Sequence, residues 1–177
     1  GWLYAANLRD GKPLWDVDLG APIASAPLVT ESEVIVGTIA GVMHCVNRGN
    51  GEKRWRFPRE ECIGPLYASP RAGLHCILIG SDDGKLYSIS PQGELRGAYE
   101  LDGLVRAPVA VEGGVAIVGD TTWLPQKVKS NLKYEVWRRR LSRRGGIAVE
   151  PILGADKLWC AAGRHLLCLR KATGRVI

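Results

Sequence analysis

Short apolar runs, broken at regular intervals by glycine, proline and acidic or amide residues, make up almost the whole chain, and no stretch keeps the 3.6-residue spacing of an amphipathic helix. Lys85-Leu86-Tyr87-Ser88-Ile89-Ser90 alternates in the two-residue period of a half-buried strand. Val34-Ile35-Val36 is apolar throughout, as a strand covered on both faces requires. Turn chemistry separates the runs: Asn50-Gly51, Asp82-Asp83-Gly84, Pro91-Gln92-Gly93 and Glu112-Gly113-Gly114. The pattern predicts strands over 23–29, 33–37, 42–47 and 53–57, and again over 66–72, 76–80, 85–90 and 94–101.

Two markers repeat with one period. Gly11 precedes Trp15 by four residues, and Gly51 precedes Trp55 in the same way forty residues later. Gly93 follows with Gly97 in the tryptophan slot, then Trp137, then Gly174. Ahead of each lies a proline in a short apolar run, Pro27, Pro70, Pro108 and Pro151, at spacings of 43, 38 and 43. Four short strands per unit of about 40–45 residues is the arrangement of a propeller blade.

Leu3-Tyr4-Ala5-Ala6 with Asp10-Gly11-Lys12-Pro13-Leu14-Trp15, and Met43-His44-Cys45-Val46 with Gly51-Glu52-Lys53-Arg54-Trp55, resemble the tryptophan-docking motif of pyrroloquinoline-quinone (PQQ)-type propellers. The resemblance covers nearly the whole chain. It implies an all-β propeller of four-stranded antiparallel blades in which Gly11, Gly51, Gly93 and Gly174 mark turns and Trp15, Trp55 and Trp137 pack against neighbouring blades. About four blades are expected: a partial blade at 1–20, blades at 21–61, 62–103 and 104–144, and a partial blade at 145–177. A closed ring of four or five such blades would need about sixteen or twenty strands, against about seventeen here. The chain is therefore expected to be part of a larger ring of seven or eight blades; a small ring closed by pairing of its two ends is the alternative.

Family likeness specifies fold better than activity, since members range from quinoprotein alcohol dehydrogenases to an outer-membrane assembly lipoprotein and a propeller appended to an adenylating enzyme. The dehydrogenases imply a vicinal cysteine pair, an aspartate base and calcium ligands. Cys45, Cys62, Cys76, Cys160 and Cys168 are nowhere adjacent, so neither catalysis, a quinone nor any other cofactor is expected. Cys45 and Cys168 occupy one strand slot, held by Ala5 and Ser88 in other repeats, which points to packing. His44 aligns with Tyr4 and Tyr87 as an ordinary strand residue. Cys160, His165 and Cys168 have the wrong spacing for a metal site, and Asp82-Asp83 reads as a turn former. An odd cysteine count without close pairs favours a reducing compartment, the cytoplasm, with the periplasm or secretion left open. No window reaches eighteen apolar residues, so no membrane span is expected, and no charged-then-apolar leader precedes the repeat.

Charge breaks the repetition. The chain carries +6, but Lys127, Lys129, Lys133, Arg138, Arg139, Arg140, Arg143 and Arg144 stand against Glu135 alone within 126–144, which leaves the remainder slightly acidic. The same unit replaces its third strand by Asp120–Lys129 with Pro125 inside it, predicting an edge, a bulge or a loop. This basic patch is the candidate partner-binding surface, with the solvated face of an outer strand as the plainer reading. The expected function is a non-catalytic scaffold that mediates protein–protein interaction with a protein partner or with other domains of its own polypeptide. A fragment of a PQQ-dependent dehydrogenase is one alternative. The other is a sensor region of a signalling or defence protein whose patch takes nucleic acid or another anionic ligand.

Overall fold

A computed structural model describes residues 1–122, 125–129, 132, 135–139, 146–147 and 149–177. Every regular element in it is a strand. The first blade contributes β1 (Trp2–Ala6) and β2 (Pro13–Asp18). The second is β3 (Leu28–Val29), β4 (Glu33–Gly37), β5 (Met43–Asn47) and β6 (Lys53–Phe57). The third is β7 (Arg71–Gly73), β8 (Cys76–Gly80), β9 (Lys85–Ile89) and β10 (Leu95–Glu100). The fourth is β11 (Ala110–Glu112), β12 (Val115–Val118), β13 (Gln126–Lys129) and β14 (Glu135–Arg138). The last holds β15 (Ile152–Leu153), β16 (Lys157–Ala162) and β17 (His165–Arg170). Within each blade, strands pair antiparallel in chain order. The propeller expectation holds.

Two strand expectations need correction. The first strand of each full blade is two or three residues long, not seven. The residues before it spend their backbone donors elsewhere: Leu66 N–H goes to Thr38 C=O and Val105 N–H to Ser81 C=O, both in the preceding blade. Each proline that follows has no N–H to give a ladder. In the fourth blade, of the edge, bulge or loop expected for the third strand, the bulge is found, as a register shift against β14 between Lys127 and Val128, while the edge and the loop are not. β13 pairs with β12 and β14 over Gln126–Lys129 because Pro125 falls just outside it and costs the ladder no donor.

The core lies in the seams between blades. Val34 and Val36 of β4 pack with Leu3, Trp15 and Ile23 on one side, while Ile35 packs with Leu66, Ile77 and Ile79 on the other. Ile77 and Leu78, and Ala116 and Ile117, divide between seams in the same way. Side chains alternate across a strand, so a strand sandwiched between two blades must be apolar at every position.

Three contacts recur from seam to seam, each found at three of the four among the described residues. A strand-end glycine receives the apolar residue that enters the next blade: a Cβ on Gly37, Gly80 or Gly119 would come within 2.8, 2.3 and 2.6 Å of Leu66, Val105 and Ile147 respectively. The turn after that glycine accepts a backbone bond from the same entering residue, including Ile147 N–H to Asp120 C=O. Third, each tryptophan lies on the turn glycine of the following blade. A Cβ on Gly51, Gly93 or Gly174 would stand 2.7, 2.6 and 2.5 Å from Trp15, Trp55 and Trp137. The indole N–H groups donate to Arg48, Pro91 and Lys171 carbonyls at 2.8, 2.9 and 3.1 Å.

The third-to-fourth seam inverts the last contact. Gly97 pairs with Ser88 where tryptophans pair with Ala5, Cys45 and Lys127. Opposite, Leu132 takes the turn position with φ 57° and a backbone bond to Lys129 C=O like those of the turn glycines. A leucine in that conformation costs roughly 1–2 kcal/mol. Its side chain is buried in a cluster with Cys76, Leu78 and Leu86 of the third blade, which returns about 2 kcal/mol.

The ends do not pair with each other among the described residues: β1 bonds to β2, and β17 to β16 and the following turn. Trp2 and Tyr4 stack at 6.4 Å and stay exposed on β1. Across the inner strands, Arg71 of β7 bonds Glu150, which precedes β15 two blades on.

Candidate functional site

Of the eight basic residues singled out, Lys127, Lys129, Arg138 and Arg139 are described; Lys133, Arg140, Arg143 and Arg144 lie outside the described residues. The four do not act alike. Arg138 sits in a polar cluster, with Nη1 3.1 Å from Asp102 Oδ2 and Nε 3.3 Å from Glu135 Oε2. Tyr99 completes that cluster, its hydroxyl 2.5 Å from Glu135 and 2.9 Å from Gln126 Oε1. Burial, then the Glu135 carboxylate, holds the Tyr99 phenol above its ordinary range. The Arg138 charge is thereby compensated. Lys127 donates to Lys171 C=O at 3.4 Å. The Arg139 guanidinium donates to the Arg138 carbonyl at 3.0 Å and has no carboxylate partner among the described residues.

Blade docking brings further cations to this place. Trp137 lies on Gly174 and bonds Lys171, which plants the turn after β17 against the end of β14. Arg170 and Arg175 flank that turn and join Arg139, Thr173, Val176 and Ile177 around a cavity of about 450 Å³. Arg139, Arg170, Thr173 and Arg175 are all exposed. A second cavity of about 540 Å³ shares Arg170 and adds Lys127, Asp156 and Lys171. The Lys171 ammonium is already bound, to Glu112 at 2.6 Å and Gly154 C=O at 2.8 Å. Arg170 and Arg175 escaped the sequence reading because charge was summed along a continuous window. The signal was present: Gly174 answers Trp137, so whatever flanks Gly174 faces the patch.

The other candidates resolve into structure. Asp82 and Asp83 are divided: Asp82 takes a two-pronged bond from Arg106 at 2.7–3.2 Å, and Asp83 accepts from Lys85 N–H and the Tyr87 hydroxyl. Arg106 also stacks 5.1 Å from the Tyr67 ring. All five cysteines are free. Burial pushes the Cys45 and Cys160 thiols up to about 12, the opposite of a reactive or metal-binding thiolate. Cys160, His165 and Cys168 face Leu167, Ala162 and Trp159 across the ladder, and no metal-binding group of three such residues occurs among the described residues. His44 borders a cleft of about 460 Å³ with Asp18, Lys53, Trp55 and Arg56, and burial beside Arg56 and Lys53 lowers its imidazole to about 4.

A family model described as outer membrane protein assembly factor BamB matches residues 1–177. The BamB of Yersinia pestis is 26% identical over 192 residues, covering 98% of this chain and 47% of its own length. That of Shewanella oneidensis is 34% identical over 90 residues, 49% of this chain and 22% of its own. Among solved structures, BamB from Moraxella catarrhalis superposes with a TM-score of 0.83 at 18% identity, over 99% of this chain and 57% of that one. The computationally designed Ika8 protein superposes at 0.79 with 14% identity, over 94% of this chain and 52% of that one. The chain spans about half the length of the first of these relatives. The cytoplasmic expectation finds no support among relatives named for outer membrane protein assembly. Its premise was weak in physical terms, because a buried cysteine packs as a small apolar group in any compartment.

Proposed function

We propose, for a chain that belongs to the family of the outer membrane protein assembly factor BamB, that it is a non-catalytic propeller scaffold which presents a protein-binding surface. It would do so as part of a larger ring of seven or eight blades, in keeping with relatives about twice as long. By analogy with those relatives its partners would belong to the machinery that assembles outer membrane proteins, outside the cytoplasm. No helix is long and apolar enough to cross a membrane among the described residues. The observation that carries the scaffold reading is where polar chemistry sits. The seams are filled by apolar packing, and three exposed arginines without a carboxylate partner among the described residues, Arg139, Arg170 and Arg175, line one cavity. A rigid ring of this kind can vary its rim without disturbing the blade cores.

Site-specific photo-cross-linking in the native host tests this. A photoreactive side chain at Ala172, exposed beside the basic clefts, is expected to give a discrete adduct with an outer membrane assembly protein. The same group at Leu8, exposed on the first blade, is the control. No adduct at Ala172, or equal adducts at both sites, would count against the reading. PQQ with calcium is expected to give no saturable binding; saturable binding would favour the dehydrogenase alternative.

A further inference from the structure

The geometry points to an acidic, extended protein segment as the occupant of the Arg139–Arg170–Arg175 cleft, an inference that rests on the scaffold reading and names the chemistry of the partner. The first ground is charge. A cavity of about 450 Å³ has the volume of a sphere about 10 Å across, comparable to the Debye length at physiological ionic strength. Three arginines that line one cavity of that size gather like charge over a span that salt only partly screens. None of them has a carboxylate partner among the described residues, whereas neighbouring Arg138 has two and Lys171 has one. A ligand that brings anions compensates that charge, and planar guanidinium forks match carboxylates in a two-pronged geometry.

The second ground is the rest of the lining. Thr173 adds a hydroxyl, while Val176 and Ile177 add apolar atoms to the lining. A free inorganic anion makes no use of those atoms. A glutamate side chain does, through its methylene groups, and so does an apolar neighbour on the same segment. The third ground is continuity. Arg170 lines this cavity and the adjoining one, so a segment anchored at Arg170 can pass from one to the other and meet Lys127.

The cleft is built by docking of one blade on the next, with its charges drawn from the residue after β14 and from the two ends of a turn 31 residues or more away in sequence. A contiguous basic tail needs no such assembly.

Binding of fluorescein-labelled hexaglutamate to the intact protein, followed by anisotropy, is the test. Saturable binding that weakens steeply with added salt is expected. R170A/R175A should weaken it at least tenfold without moving the melting temperature, since both side chains are exposed. R9A/K12A, which removes two exposed cations from the first blade's turn, should leave it unchanged. Absent saturation, equal losses in both double variants, or displacement of the peptide by an equal concentration of inorganic phosphate would overturn the inference. The two readings fail separately. An Ala172 adduct that persists in R170A/R175A leaves the scaffold standing and removes the cleft as its contact. Hexaglutamate binding at the cleft with no adduct removes the scaffold and leaves the cleft.

Discussion

Replacing Gly93 by alanine should cost far more than replacing Gly11, although both are turn glycines with left-handed backbone, at φ +84° and +69°. At Gly11 a new Cβ meets nothing within 4 Å, so G11A carries only the conformational cost, about 1 kcal/mol. At Gly93 the Cβ would stand 2.6 Å from Cδ2 and 2.7 Å from Cε3 of Trp55, well inside an ordinary carbon–carbon contact of about 3.5–4 Å. The ring cannot slide away freely, because its N–H is tied to Pro91 C=O at 2.9 Å in the same turn. Overpacking of that size adds about 1–3 kcal/mol, for a total of about 2–4 kcal/mol. At roughly 2–4 °C per kcal/mol for a chain of this size, G11A should lower the melting temperature by about 2–4 °C and G93A by about 4–16 °C. W55A alone should cost about 3 kcal/mol, near the low end for a tryptophan because Trp55 is only half-buried. In the W55A background the clash is gone, and G93A should fall to the cost of G11A. Urea titrations of the three single variants and W55A/G93A measure this coupling. Equal costs for G11A and G93A, or strict additivity of the double variant, would refute the account of the seam.

The inverted seam predicts that L132G and G97W are each destabilising while L132G/G97W recovers most of the loss, read from denaturant midpoints; a double variant no better than the worse single one would reject the exchange. G80A should cost about 3 kcal/mol, and V105A should not fully rescue it, because the new Cβ meets the Val105 carbonyl at 2.8 Å as well as its side chain. A G80A protein within half a kcal/mol of wild type, a margin typical of neutral surface changes, would mean that the strand-end glycines are not sockets. His44 supplies a pH dependence: its folded pKa of about 4 lies below the ordinary 6.5, so the unfolded chain binds the proton first. That contribution is complete above pH 6.5 and is lost as pH falls toward 4, amounting to about 2 kcal/mol between pH 7 and 5. H44Y, which installs the residue found here at Tyr4 and Tyr87, should flatten this part of the melting-temperature profile relative to wild type; parallel profiles would rule it out.

How far the fold was legible follows from which contacts are local. The turns and the strand pattern are local, so β4 and β6 fall where periodicity puts them. Tryptophan and turn glycine, 36 to 38 residues apart, were legible because the spacing repeats. The strand-end glycines were not singled out, although Gly37, Gly80 and Gly119 are as regular. Their φ is ordinary, and a glycine kept for close approach rather than for a turn leaves no local mark. The first strands came out too long for the same reason: 66–70 forms no ladder in its own blade, and Leu66 bonds the preceding one, which no period-two count can register. Arg138 illustrates the limit at the site. The sequence places it in a basic run, while only the fold brings Asp102 and Tyr99 to it.

The seam that stabilises the ring also makes the candidate site, and this ties the two kinds of evidence together. Arg139 is held near Arg170 and Arg175 because Trp137, 6% exposed and the most buried of the three repeat tryptophans, docks on Gly174. Equivalent docking occurs at Gly51 and Gly93, yet the residues flanking those turns do not assemble three uncompensated guanidinium groups. Around Trp55, Arg54 is paired with Glu33 at 2.9 Å and Arg56 bonds Pro58 C=O. Identical packing thus carries different rims. The repeat explains why the tryptophans and glycines are where they are, but it supplies no reason for Arg139, Arg170 and Arg175, since nothing in the blade requires charge there. A surface feature that the architecture does not demand, and that costs electrostatic repulsion to keep, is best explained by a ligand that compensates it.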